Sequence, residues 1–90
     1  MADGAKVIER VQIGERVMLI CATWIYEGVL LARTHDTVVL GEAEIVYETG
    51  WGGGTRQTDP MPVRVWEIGR SAVEGCGALL DQAPKRGRRG

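Results

Sequence analysis

The chain has no phenylalanine, one histidine, two cysteines and three prolines among its 90 residues. Each shortage removes a class of protein. Without phenylalanine, aromatic packing falls to three tryptophans and two tyrosines. Two cysteines cannot build the disulfide framework on which small secreted domains rely. Metal binding by Cys21, Cys76 and His35 would need three elements to converge without any Cys-x-x-Cys spacing, so the thiols read as small buried hydrophobes and no cofactor or metal is expected. Long apolar runs are also missing. The longest, residues 17–25, is broken by Thr23 and falls far short of the ~20 residues of a membrane span. The start, Met1-Ala2-Asp3-Gly4, carries an acid where a secretory leader needs a basic region. These absences read as a soluble intracellular chain with reduced thiols, in the cytoplasm, with no membrane partner. The length itself excludes a catalytic barrel, a dinucleotide-binding fold or a kinase. It allows one small domain, which is marginal alone and gains from assembly.

Charge is present but unevenly placed. The formal balance is −1. The last seven residues hold Lys85, Arg86, Arg88 and Arg89 and no acid, leaving 7 basic and 12 acidic side chains elsewhere, a net of −5. An acidic body with a basic tail results. Such a tail suits nucleic acid, or it is a solvated terminus that keeps the protein soluble.

Alternation organises the rest. Residues 5–13 fit either one face of a short helix, with Asp3 as cap and Gly14 as stop, or a strand through Val7, Glu9, Val11 and Ile13. Residues 15–22 predict a strand that is apolar on both faces and therefore buried on both. After a bulky turn at Trp24, Ile25 and Tyr26, residues 28–33 predict a second strand. Thr34-His35-Asp36-Thr37 is a polar turn. Residues 38–47 return as a long third strand, bent by a bulge at Gly41, with Glu42, Glu44 and Glu48 on a solvated acidic face. Residues 50–60 hold too many glycines for a strand interior and read as a loop. Residues 63–68 alternate cleanly as a fourth strand, and Gly69-Arg70-Ser71 turns into a last element over residues 72–80. Five short strands with tight turns in so short a chain predict a small closed barrel.

In the middle of the chain, Gly28-Val29-Leu30, the turn at His35-Asp36 and the return Val38-Val39-Leu40 resemble the first motif of Sm-like proteins, the return being similar to the bacterial Hfq form. Val65-Trp66-Glu67-Ile68-Gly69-Arg70-Ser71-Ala72-Val73 resembles the second motif. With Arg33, Ile45-Val46-Tyr47 and Gly50-Trp51-Gly52 added, the pattern is also similar to short Sm-like proteins encoded by bacteriophages. The resemblance spans roughly residues 15–80. It implies a mainly β domain over residues 1–82: a strongly bent, five-stranded antiparallel sheet of the small Sm-like, SH3-like barrel type, preceded by a short helix and followed by a basic tail over 83–90. It also implies a homo-oligomeric ring, closed where the fourth strand of one copy meets the fifth of the next. Val63, Val65, Ile68, Val73 and Leu79 are then the subunit contacts. RNA contacts fall to His35, Asp36, Thr37 and Arg70, with Lys85, Arg86, Arg88 and Arg89 in support. The chain departs from the Sm pattern in three ways: the turn has no Asn, Gly69-Arg70 stands in reversed order, and no aromatic sits at the turn to stack a base.

Catalysis has little support. His35 and Asp36 form a general-base pair on paper, but no nucleophile lies near, and an exposed turn histidine explains them equally. The Gly50-to-Thr55 loop lacks the Gly-Lys-Ser/Thr ending of a phosphate loop and opens no helix. Trp51, flanked by glycines, reads as a partner or inter-ring contact, whereas Trp24 and Trp66 read as packing. Three functions stay open. One is a non-enzymatic ring that binds single-stranded RNA electrostatically. Another is a phage-type accessory protein that docks on structural proteins, for example in a virion. The third is a monomeric SH3-like barrel in a larger complex.

Overall fold

The computed structural model describes residues 8–80. It is mainly β and antiparallel, as the alternation predicts. The strands are β1 (Arg16–Cys21), β2 (Ile25–Arg33), β3 (Thr37–Glu48), β4 (Gln57–Pro60), β5 (Val65–Gly69) and β6 (Val73–Ala78). Short 3₁₀ turns lie at Ile8–Arg10 and Arg70–Ala72. The sheet runs β4-β3-β2-β1-β6, and β5 pairs with the first half of β3, on the edge whose second half holds β4. Among the described strands no pairing joins β6 to β4 or β5, so the expected closed barrel is an open sheet within one copy.

Three boundaries differ from the sequence reading. The amide of Cys21 donates to the carbonyl of Trp24 (3.0 Å), a turn so tight that β2 starts at Ile25 rather than Gly28. Residues 57–60, read as loop, form β4 and bring the strand count from the expected five to six, because the backbone of Glu44 to Glu48 has an edge to offer them. The N-terminal segment is neither strand nor full helical turn where it is described: residues 8–10 make a single 3₁₀ turn.

Burial on both faces of β1 is observed: Val17, Met18 and Leu19 are all buried. One face builds the core, where Val17 and Leu19 meet Leu30, Val38, Leu40, Ala43, Ile68 and Val73, with Ile8 and Val11 of the N-terminal segment closing over them. Each such side chain contributes about 1.5–3 kcal/mol by leaving water. The Arg33 guanidinium donates to the carbonyls of Ile8 (3.2 Å) and Val11, satisfying acceptors of the segment that covers the core.

The bend expected at Gly41 is present. Opposite Gly28, β3 carries one extra residue: Glu27 pairs with Glu44, but Val29 pairs with Gly41. Glu42 sits there at φ 51°, a conformation that costs a non-glycine residue about 1–2 kcal/mol. Gly28 is required by the close approach, because a Cβ on it would lie 2.8 Å from the Gly41 carbonyl oxygen.

Candidate functional site

The turn that the sequence marks for nucleic acid is built by Thr34, whose Oγ1 accepts from the amides of Asp36 (3.1 Å) and Thr37 (2.9 Å). His35 and Asp36 project beyond it, 87% exposed, with Nδ1 3.6 Å from Oδ1. The fold brings Arg70 to this turn. Its amide donates to the Asp36 carbonyl (2.8 Å) and its Nη1 to the Thr34 carbonyl (2.7 Å), while Nη2 meets the Glu9 carboxylate at 2.8 Å. The bond from Arg70 holds the Glu9 carboxyl below its ordinary range. The guanidinium predicted to contact phosphate therefore clamps the β2–β3 turn to the N-terminal segment. Lys85, Arg86, Arg88 and Arg89 lie outside the described residues.

Among the described residues, Arg16, Arg33 and Arg56 are also engaged. Arg16 reaches Glu44 (3.1 Å) and Glu42 (3.7 Å), and Thr58 Oγ1 donates to Glu44 as well. Glu44 is thus half-buried and paired, a correction to the solvated acidic face; Glu42 and Glu48 are exposed as expected. Arg56 forms a two-pronged pair with Glu27, Nη1 donating to Oε2 at 2.7 Å and Nη2 to Oε1. Glu27 is fully buried and Arg56 partly exposed. Sequence spacing could not find this pair, because its members stand 29 positions apart and join only through the register of β2 against β3 and β4. Arg10 and Arg64 are the exposed arginines without an ion pair among the described residues.

The expected subunit-contact residues separate into two groups. Val63 and Val65 are exposed, at 40% and 46%, beside and on the open edge strand β5. Ile68 and Val73 are core residues, 7% and 2% exposed, so their side chains are used within the chain and are not open to a neighbouring copy. Leu79 is half-buried and lines a groove of about 260 Å³ with Met18, Ile20, Gly77 and Trp51. Trp51 is 69% exposed and forms one wall of that groove.

Aromatic side chains gather at one end of the core face. Tyr26 packs against Trp66, centroids 6.0 Å apart, and the buried Trp66 Nε1 has no hydrogen-bond acceptor. Further out, Trp24 and Tyr47 meet edge to face at 6.1 Å and 88°. They are 43% and 53% exposed, so Trp24 is a surface residue rather than the packing residue expected.

Cys21 and Cys76 are free, half-buried and packed against the core, in agreement with the small-hydrophobe reading. Burial pushes the Cys76 thiol up to about 11; burial, then the Glu74 charge, raises Cys21. Thiols so held are poor nucleophiles. No group of metal-ligating side chains gathers among the described residues, and no described helix is long and apolar enough to cross a membrane. No protein-family model matches the chain, and no curated protein resembles it.

Proposed function

We propose that this chain is a non-enzymatic, Sm-like module that assembles with copies of itself and docks on protein partners. One observation carries the reading: the six-stranded sheet ends on both sides in strands that have no outer partner among the described residues, β6 at one end and β4 with β5 at the other. Bare edges invite pairing, and the β5 edge presents Val63 and Val65 to solvent. Joining β5 of one copy to β6 of the next covers both of those edges, leaving only the four-residue β4 open, and adds the buried area that a 9.8 kDa chain lacks alone. The meander β1-β2-β3, with the last strand returning to β1, supports the Sm-like reading within that proposal.

Protein docking is favoured over RNA binding by the body because Arg16, Arg33, Arg56 and Arg70 are spent on internal partners. RNA binding remains the second reading, carried by the turn at His35, Asp36 and Thr37 and by the basic tail.

Light scattering on the purified full chain tests the assembly. A mass several times that of one chain is expected, falling to one chain in Val63→Asp/Val65→Asp, whose exposed positions tolerate charge. A single-chain mass for the unmodified protein at 100 μM overturns it. The 260/280 nm absorbance ratio separates the two readings, since a protein-like ratio and no salt-dependent RNA binding are expected.

A further inference from the structure

We propose that the exposed aromatic pair Trp24 and Tyr47 is a binding site for arginine and lysine side chains, and that its occupant is the basic segment Lys85, Arg86, Arg88 and Arg89 of the same copy. The proposal stands whether or not copies assemble.

The rings supply the first part of the site. Edge-to-face packing at 88° leaves ring surface on both residues turned to solvent. A guanidinium over an indole or phenol face is attracted by the ring's negative quadrupole and stacks on it, which an apolar ligand cannot match.

Charge supplies the second part. Asp59 pairs with Ile45, two positions before Tyr47, and so stands near the aromatic row on the β4 side. On the β6 side, Glu74 stands close enough to Cys21 to raise its thiol pKa, and the Cys21 backbone amide donates to the Trp24 carbonyl. Both acids are exposed and unpaired among the described residues. An aromatic row between two unpaired carboxylates suits a cation and repels a phosphate.

Reach supplies the third. The Leu79 amide donates to the Arg16 carbonyl (2.8 Å), which fixes where the chain leaves β1. Trp24 lies level with Cys21, five positions along β1, or about 17 Å. Strand β6 runs the opposite way, so the chain must turn back after Leu80; extended, the six to nine positions to Arg86–Arg89 span about 20–30 Å, enough to reach Trp24. Tethering places the cations at an effective concentration of order millimolar, enough to fill a weak site.

Trypsin cleavage of the full chain, followed by mass, reads the docking directly, with cleavage at half-buried Arg33 reporting any general opening. At 50 mM salt, cutting after Lys85, Arg86 and Arg88 should be about 5–10-fold slower in the unmodified chain than in Trp24→Leu or Tyr47→Leu. Asp59→Asn/Glu74→Gln should lose the same protection with both rings intact, and 0.5 M salt should abolish it. Equal rates in all chains overturn the proposal. So does protection that survives Trp24→Leu and Tyr47→Leu, protection that grows with protein concentration (a second copy), or protection that nuclease removes (bound nucleic acid).

Discussion

The two faces of the sheet are closed by opposite means. On one, Ile8, Val11, Ile68 and Val73 spread an apolar lid over Leu19, Leu30 and Leu40. On the other, a charged arm crosses from the glycine-rich loop to seat Arg56 on buried Glu27, beside Met18 and Val46, which are also buried. Apolar closure is non-directional, so its cost on mutation is graded by volume. Ionic closure depends on both partners being present, because one buried charge left alone is far worse than none.

The largest expected effect is on the apolar side. Leu19→Ala or Leu40→Ala, each at a fully buried position, should cost about 3–4 kcal/mol in urea unfolding. In so short a chain that loss approaches the whole stability. A loss below about 1 kcal/mol would show that the face is not the core.

On the ionic side, Arg56→Ala should cost about 3 kcal/mol, although Arg56 is partly exposed, because Glu27 is not. Replacing both partners, Glu27→Met/Arg56→Met, should return stability to within about 1 kcal/mol of the unmodified chain. If the double variant is as unstable as the single one, the pair is not closing that face in the manner described.

The smallest effect distinguishes the faces by pH. A thiol acid whose folded pKa is raised favours the folded state fully below its unfolded value. Cys76, raised from 9.0 to about 11 by burial, should therefore cost the protein stability progressively between pH 9 and pH 11. Cys76→Ala should flatten that part of the pH–stability curve, and an unchanged slope would place the thiol outside the core edge. Iodoacetamide should correspondingly label Cys76 slowly at pH 8.

Strand β1 was legible as a short apolar run buried on both faces, β3 and β5 because alternation of apolar and polar residues reports a sheet surface directly, and the bulge because Gly41 interrupts β3. Strand β4 was not: Gln57-Thr58-Asp59-Pro60 alternates nothing and is ordered only by the backbone of β3 and the bond from Thr58 to Glu44. The nearness of Arg70 to the β2–β3 turn followed from the resemblance of motifs. Its engagement did not, since Glu9 stands 61 positions away. Local pattern encodes which face a residue shows, while long-range pairs are set by topology.

The extra residue opposite Gly28 has one more consequence, which is one of parity. Before it, even-numbered positions of β3, Val38 and Leu40, face the core; after it the odd position Ala43 does. Had the strand run on without the insertion, the frame would place Glu42 and Glu44 inward and expel Ala43. One residue held at positive φ thus works as a frame shift in the reading of a single strand. It lets the same β3 serve β5 with one phase of its sequence and β4 with the other.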